Sequence, residues 1–383
     1  MSNFIQNYYK LEKINTLKIP IYFLKSFSPI TFKIDYFPID ANHKNFDKEI
    51  KKFPDIFHTT RFEKYLNQLK SFSNEEIILI LNFLQKFEKF RKKFGIQYFP
   101  LASILSSIMS LRAIKLLNKI YFNNSKLNIL DVGSGSGILP VLLYLQKNKV
   151  YSYEVTPSLF FYQNKLYENY CANDYIFLTE KIPSRKKRER GGGEKGGAGG
   201  DNTKLIHIPW WFFYYEEKLD SLKDIDVINF SHCFMEITTT NILYLFNVLI
   251  KKIIFKKKNK VFIVLNTMGA KMFTANISFI DSVGKLIFLD PIHDIWIYEI
   301  TKNFKEIKTK ILRRKILNLQ MKIIERKYNI SIIGKNKTFK KLYNNSFNDV
   351  NINEFKEILF KKNKNFFNKS DDEKYFNSIN LKL

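Results

Sequence analysis

Cysteine is scarce in this chain of 383 residues, which contains only Cys171 and Cys233. Two cysteines exclude a disulfide framework and offer no pair at metal-ligand spacing. No cluster of carboxylates or histidines at ligand spacing is present either, so we predict that no metal is bound. The N-terminus lacks a basic segment followed by an apolar segment and a small-residue cleavage site. We therefore expect a protein of a reducing compartment, the cytoplasm.

Long apolar runs are also missing from the sequence. No stretch of about 18 consecutive apolar residues occurs, so we expect a soluble protein without a membrane span. Hydrophobic residues nevertheless make up 45% of the chain and aromatic residues 16%. This composition excludes a disordered protein and predicts a sizeable core.

Acidic residues are too few to balance the basic ones. Lys and Arg number 63 against 36 Asp and Glu, which gives a net charge of +27. Such a surplus suggests a nucleic-acid partner or an anionic membrane surface. However, Lys, Asn, Ile and Phe are abundant throughout, and no nucleic-acid-binding motif accompanies the charge. We therefore favour compositional bias as its cause, and nucleic acid remains the less favoured partner.

Glycine is concentrated in two places. Seven of the 14 glycines lie within 184–200, a stretch that also contains a run of Arg and Lys and has no apolar face. We predict a flexible insertion over 184–204. The second group, Gly133, Gly135 and Gly137, follows a short apolar run from Leu127 to Val132 and precedes an apolar segment with Pro140 in its first turn. This order predicts a buried strand, a glycine loop and a helix whose N-terminal NH groups face a ligand.

The spacing of these glycines limits the ligand. A dinucleotide fingerprint requires a glycine five residues after Gly133, where the chain has Ile138, and a phosphate loop requires a Gly-Lys-Ser/Thr ending that is missing. The next predicted strand ends at Glu154, where a carboxylate can accept both ribose hydroxyls of an adenosine. The segment Asp131-x-Gly133-Ser134-Gly135-x-Gly137 resembles motif I of the class I S-adenosylmethionine-dependent methyltransferases.

The resemblance implies an α/β fold, a doubly wound, mostly parallel seven-stranded Rossmann-like sheet. It also implies S-adenosylmethionine as cofactor. The residues expected to hold it are Asp131, Gly133, Ser134, Gly135, Gly137, Glu154 and Trp210. For Trp210 and its neighbour Trp211, stacking on adenine or a sugar and a role as core anchors are equally favoured.

Three regions are expected along the chain. Residues 1–125 should form an N-terminal helical cap, 126–300 the cofactor-binding domain and 301–383 a basic extension. In the cap, Ser73 and Glu76 form a capping box, and Arg112 is expected to be solvated rather than directed at the cofactor. The remaining strands of the sheet are predicted over 175–179, 225–230, 261–266, 285–289 and 295–300.

Acceptor chemistry is expected where the strand predicted over 225–230 ends. His232 is our candidate general base, and Glu236 orients it or holds a substrate hydroxyl. The loop Pro291–Asp294 is a secondary candidate for acceptor contacts. The acceptor itself, the oligomeric state and any role of the insertion are left open by the sequence.

A narrower resemblance rests on the order of four segments. Motif I, Tyr153–Pro157, Ile208–Trp211 and Asn229–Glu236 together resemble the bacterial sugar O-methyltransferase family over about residues 100 to 300. This implies transfer of a methyl group to a sugar hydroxyl of a surface polysaccharide or glycoconjugate. The alternatives are an RNA methyltransferase acting on ribose or base, and a non-catalytic cofactor-binding protein.

Overall fold

The computed structural model describes a discontinuous set of residues. These are 2–17, 62–96, 99–171, 174–177, 204–214, 222, 224–231, 233–234, 237, 242–243, 245–246, 260–266, 274–290, 295–301 and 346–362. Most of the predicted 184–204 insertion, the catalytic candidates His232 and Glu236, and the loop 291–294 lie outside the described residues.

The described part of the chain forms ten strands. They are β1 (Ser71–Phe72), β2 (Asn128–Val132), β3 (Lys149–Glu154), β4 (Tyr175–Phe177), β5 (Leu205–Pro209), β6 (Val227–Ser231), β7 (Lys260–Asn266), β8 (Lys285–Asp290), β9 (Ile295–Thr301) and β10 (Val350–Asn351).

Eight of these strands form one sheet in the order β4-β5-β3-β2-β6-β7-β9-β8. The first six strands in this order run parallel, and the last two are antiparallel to their neighbours. Chain order reverses direction at β2, so the loop after β2 lies at the switch point where open α/β sheets bind ligands. The predicted doubly wound, mostly parallel, Rossmann-like α/β fold is confirmed.

The sheet has eight strands, one more than predicted, because β5 was not among the predicted strands. The strand predicted over 175–179 is present as β4 at the edge of the sheet, and β5 lies between β4 and β3. All five residues of β5 are buried and pair with β3 from Val150↔Leu205 to Glu154↔Pro209. A strand buried on both faces takes an interior position, whereas the three residues of β4 suit an edge.

Eight α-helices accompany the strands within the described residues. They are α1 (Ser2–Thr16), α2 (Phe62–Leu69), α3 (Asn74–Phe94), α4 (Leu101–Tyr121), α5 (Ile138–Leu145), α6 (Pro157–Cys171), α7 (Thr274–Val283) and α8 (Ile352–Lys362). Helices α1 to α4 precede the first strand of the main sheet, and the N-terminal helical cap over 1–125 stays a prediction.

Helix α3 begins at the predicted capping box. The Ser73 hydroxyl accepts from the Glu76 amide at 3.2 Å, and the Glu76 carboxylate accepts from the Ser73 amide at 2.9 Å. The same carboxylate pairs with Arg112 of α4, with two N–O distances of 2.8 Å. The expectation that Arg112 is solvated is therefore wrong. Its guanidinium is buried and neutralised by a residue 36 positions earlier.

Among the described helices, α4 is the one that is long and apolar enough to cross a bilayer. Its most apolar window is 83% buried inside the protein, however. It contacts α2, α5 and strand β7. Its apolar character is therefore that of an interior helix linking the cap to the sheet.

The described segment of the C-terminal region returns to the N-terminal cap. Strand β10 pairs antiparallel with β1 through Ser71↔Asn351 and Phe72↔Val350. The ring of Phe355 in α8 stacks on Phe72 with centroids 4.1 Å apart. Residues 346–362 thus pack against β1, in the N-terminal part of the chain.

Candidate functional site

The glycine loop between β2 and α5 has the backbone geometry that its composition predicts. Gly133, Gly135 and Gly137 have φ of 68°, 52° and 71°, in the left-handed region. A Cβ at Gly133 would lie 2.5 Å from Cys233 Sγ, and one at Gly137 would lie 2.9 Å from Gln163 Cγ. At Gly135 the nearest atom among the described residues is Gly133 O, 3.9 Å away. The loop is thus packed at both ends and has room at its middle residue.

The amides of the three loop glycines are paired within the protein, and the expectation that the N-terminal NH groups of α5 face a ligand stays a prediction. Gly133 N donates to Tyr153 O and Gly137 N to Ser134 O, each at 2.8 Å. Gly135 N donates to Glu154 Oε2 at 2.9 Å. These three donors are therefore already used within the protein and are not available as a phosphate cradle.

Glu154 closes the loop from the next strand. Its Oε1 accepts from the amides of Val155 and Thr156, both at 2.9 Å. Its Oε2 accepts from Gly135 N at 2.9 Å and from Gln163 Nε2 at 3.2 Å. A carboxylate has about four acceptor positions, so all of them are occupied. Burial raises the pKa of this group despite the donors, which act in the opposite direction.

Asp131 and Asn229 lie side by side near the ends of β2 and β6. Asn229 Nδ2 donates to Asp131 Oδ1 at 2.6 Å, and both residues are fully buried. Asp131 Oδ2 and Asn229 Oδ1 have no hydrogen-bond partner within the described part of the chain. Burial raises the pKa of Asp131 to about 7. Two buried acceptors without donors suit a ligand that brings N–H groups and a positive charge.

A chain of hydroxyl groups connects the loop to β3 and α6. Ser134 Oγ donates to Asp131 O at 3.1 Å and accepts from Ser152 Oγ at 2.8 Å. Ser152 Oγ is in turn 2.7 Å from the Tyr167 hydroxyl. Since each hydroxyl has one proton, Tyr167 donates to Ser152. Ser134, predicted as a cofactor residue, therefore links the loop to β3 and α6.

The sequence analysis missed two residues near this loop, Gln163, which contacts it, and His207, which contacts Gln163. Gln163 of α6 donates to Gly135 O at 2.7 Å as well as to Glu154, and its Oε1 faces His207 Nε2 of β5 at 2.9 Å. No spacing rule points to Gln163. His207 carried a signal, because it is the only ionisable residue in the apolar strand Leu205–Pro209.

Trp210 and Trp211 are packed as core anchors. The indole N–H of Trp210 donates to Glu12 of α1 at 2.6 Å, and the Trp210 carbonyl accepts from the Tyr153 hydroxyl at 3.1 Å. The Trp211 ring lies 4.7 Å from that of Tyr8. These contacts favour the core interpretation, and stacking of Trp210 on a cofactor stays a prediction.

The structure brings the predicted cofactor residues together at one edge of the sheet, the edge where β2, β3 and β5 end. The catalytic candidates His232 and Glu236 lie outside the described residues, so their roles stay predictions. Their neighbour Cys233 is described, and its thiol donates to Val132 O at 2.9 Å. The end of β6 therefore meets the start of the glycine loop.

The chain matches no protein-family model and no curated protein sequence. It is similar to two solved structures. One is magnesium protoporphyrin IX methyltransferase of Synechocystis PCC 6803 with bound SAM, with 11% identity, a TM-score of 0.32, and coverage of 60% of this chain and 99% of that chain. The other is MtNAS in complex with MTA and tNA, with 11% identity, a TM-score of 0.32, and coverage of 74% and 99%. Neither similarity bears on the function of this chain.

Fold and site together define a class of protein. A doubly wound sheet carries a glycine loop after its first strand, an acid at the end of the next strand and a buried acid before the loop. Asp131 Oδ2 and Asn229 Oδ1 add two buried acceptors that have no partner among the described residues. The molecule is therefore an α/β protein with a doubly wound, Rossmann-like sheet and a polar site at the switch point of that sheet.

Proposed function

We propose that this protein is an S-adenosylmethionine-dependent methyltransferase. The observation that carries the proposal is the pair of buried acceptors, Asp131 Oδ2 and Asn229 Oδ1, beside a glycine loop that is closed by Glu154. A buried acceptor without a donor costs about 1–3 kcal/mol. A ligand ammonium would satisfy both groups, and its charge would favour the ionised form of Asp131.

The adenosine half of the cofactor is assigned to the other side of the loop. Glu154 ends β3, where a carboxylate can accept the ribose hydroxyls, and Gly135 leaves room for close approach. Since the acceptor positions of Glu154 are filled, ribose binding must replace at least one present donor. Trp210 remains a candidate wall for the adenine.

S-adenosylmethionine supplies an electrophilic methyl group on a sulfonium. The task of the protein is then to align the acceptor in line with that group and to remove its proton. For a hydroxyl acceptor we assign proton removal to His232 and its orientation to Glu236. Both follow β6, whose end meets the glycine loop through Cys233 and Val132.

We further propose that the acceptor is a sugar hydroxyl of a polysaccharide or glycoconjugate, in line with the motif order of the sugar O-methyltransferase family. A cytoplasmic location is part of the proposal, since Cys171 and Cys233 are both free thiols. RNA is the competing acceptor, because a net charge of +27 would favour phosphate contacts.

The test is transfer of labelled methyl from S-adenosylmethionine to fractionated lysate of the source cell. Polysaccharide, RNA and protein fractions are counted separately, with the Asp131→Ala variant as control. We expect label in polysaccharide or nucleotide-sugar fractions that the variant fails to produce. Label in RNA alone would contradict the sugar assignment. Failure of the protein to bind S-adenosylhomocysteine or to transfer any label would contradict the methyltransferase assignment.

A further inference from the structure

A closed ring of hydrogen bonds surrounds Gly135 at the centre of the glycine loop. Its N–H donates to Glu154 Oε2, its carbonyl accepts from Gln163 Nε2, and the same Nε2 donates to Glu154 Oε2. The distances are 2.9, 2.7 and 3.2 Å. The amide of Gln163 therefore fixes the loop and the carboxylate relative to each other with its two N–H groups.

The orientation of the Gln163 amide is determined by its partners. Both atoms that face Nε2, a carbonyl and a carboxylate oxygen, are acceptors, so Nε2 must donate to both. Oε1 then faces His207, and Nε2 of the imidazole must carry a proton to donate to it at 2.9 Å. Burial lowers the pKa of His207 well below its usual value. His207 is thus a neutral imidazole with its proton on Nε2.

His207 is itself held in place by its neighbours. Its ring stacks on Phe160 at a centroid distance of 3.8 Å and an interplanar angle of 17°. Its Nδ1 lies 3.2 Å from the Tyr175 hydroxyl of the edge strand β4, but that hydroxyl donates its proton to Asn164 Oδ1. The hydrogen-bonded connection therefore runs from His207 of β5 through Gln163 of α6 to Gly135 of the loop.

Packing alone does not require an amide at position 163. Gln163 is fully buried, and a buried amide costs free energy unless it is hydrogen-bonded. All three of its bonds go to the site or to His207, and none joins one helix to another. Among the four donors to Glu154, Gln163 supplies the one that is a side chain.

We propose that Gln163, held by His207, is a positioning residue that presents Gly135 and the Glu154 carboxylate to the adenosine of the cofactor. The inference rests on the proposed function, since it concerns the same site. Gln163 acts through Glu154 and the loop, and it has no contact with the transferred methyl group. Without it, the loop keeps its glycines but loses the partner of the Gly135 carbonyl.

The first test compares Gln163→Met with the natural sequence. Methionine fills the space without a donor, so we expect the Kd for S-adenosylhomocysteine, measured by calorimetry, to rise about tenfold. The control is Tyr170→Phe, on the same helix, which removes the bond from the Tyr170 hydroxyl to Phe83 O. The control should lower the unfolding temperature and leave the Kd unchanged.

A double-mutant cycle separates positioning from general loosening of the fold. If Gln163 acts through Glu154, the loss of affinity caused by Gln163→Met should be clearly smaller in a Glu154→Gln background. Losses of affinity that multiply would show that the two residues act independently and would overturn the inference.

Replacement of His207 provides a second route if Gln163→Met does not unfold cooperatively. His207→Gln keeps an N–H that can face Gln163 Oε1, whereas His207→Leu removes it. We expect His207→Gln to retain most of the affinity and His207→Leu to lose about as much as Gln163→Met. Equal affinities for the two His207 variants would overturn the inference.

The outcomes distinguish the inference from the proposed function. If the natural protein does not bind S-adenosylhomocysteine, the proposed function fails and the inference with it. If the natural protein binds and Gln163→Met binds equally well, only the inference fails.

Discussion

The two sides of the candidate site differ in how their polar groups are satisfied. On the loop side, defined by Gly133–Gly137, Glu154 and Gln163, each carboxylate and amide group at the centre has protein partners. On the acid side, defined by Asp131 and Asn229, one oxygen of each side chain has none within the described residues. The loop side is therefore completed by the fold, whereas under the proposed function a ligand would complete the acid side.

This difference has an energetic reason. The loop is a backbone in left-handed geometry, which needs partners to hold it even without a ligand. The acid side lies on two central strands whose ladder already fixes it through the register Asp131↔Asn229. Its side chains can remain underpaired because the sheet, rather than their own bonds, determines their position. A ligand that donates hydrogen bonds to these two oxygens would gain binding free energy, because they have no donor within the described residues.

The largest effect is expected from Glu154→Ala, because it removes the acceptor of four donors on the loop side. We expect a loss of about 3 kcal/mol or more in the free energy of unfolding, measured by urea denaturation, and a fall of about 100-fold in S-adenosylhomocysteine affinity. The matched control is Glu168→Ala on α6, whose carboxylate is about half exposed and pairs with Lys165. A loss of affinity without a loss of stability would contradict the view that the fold completes this side.

Asp131→Asn should raise stability where Glu154→Ala lowers it, since it removes a charge on the acid side and keeps the shape of the side chain. The folded pKa of Asp131, about 7, lies above the ordinary aspartate pKa of about 4, so between these values the folded state holds a proton that the unfolded state has lost. Stability contributed by this proton is full below about pH 4 and is lost as the pH rises to 7. Relative to the natural protein, the variant should therefore gain stability over this range, on the order of 4 kcal/mol.

The same variant tests ligand binding. A ligand ammonium favours ionised Asp131, so S-adenosylhomocysteine affinity of the natural protein should rise from pH 5.5 to 7.5. Asp131→Asn should bind about tenfold more weakly at pH 7.5 and lose most of this pH dependence. An equal pH dependence in both proteins, measured by calorimetry, would assign it to another group.

The glycines of the loop should rank by the space around them. Gly137→Ala brings a Cβ to 2.9 Å from Gln163 Cγ and 3.0 Å from the Tyr167 hydroxyl, whereas Gly135→Ala meets no described atom closer than 3.9 Å. In both variants alanine must adopt a positive φ, which costs about 1 kcal/mol of stability. The steric clash adds to this cost at Gly137 only. We expect Gly137→Ala to unfold at a lower urea concentration, and Gly135→Ala to lose ligand affinity with less loss of stability. The reverse order would place the ligand elsewhere.

The smallest effect is expected at Tyr8, whose hydroxyl lies next to the loop side but, unlike the polar groups there, is not hydrogen-bonded within the described residues. The Tyr8 hydroxyl of α1 is fully buried among Phe160, Phe161 and Trp211 and has no hydrogen-bond partner among the described residues. Tyr8→Phe should therefore raise the free energy of unfolding by about 1 kcal/mol. Tyr170→Phe, which breaks a bond of 2.6 Å to Phe83 O, should lower it by a similar amount. A loss of stability in Tyr8→Phe would reveal a partner for the hydroxyl.

The local sequence pattern was sufficient to predict those segments whose structure depends on nearby residues alone. The strand before the glycine loop, the left-handed glycines and the capping box at Ser73 were all predictable, because each depends on residues within about six positions. Arg112 was not predictable, because its partner Glu76 lies on another helix. A charged residue on an apolar helix has the same sequence signature whether it is solvated or paired in the interior.

The order of the strands divides in the same way. The two antiparallel strands at the end of the sheet were predicted within one residue of their observed bounds, since each is an apolar run between breaks. The position of β5 beside β3 was missed, because the chain between 178 and 203 gives no indication of which apolar run will take the interior place. Burial on both faces decided it.

The sequence by itself determined the chemistry of the loop. The spacing of the glycines determines where the backbone can adopt a positive φ, and the position of Glu154 places a carboxylate at the end of a strand. Only the tertiary structure decided what surrounds the loop. Gln163 and His207 come from a helix and a strand 28 and 72 positions beyond Gly135, and Asn229 meets Asp131 across 98 positions. Hydrogen bonds between distant segments depend on strand register and packing, which no local pattern encodes.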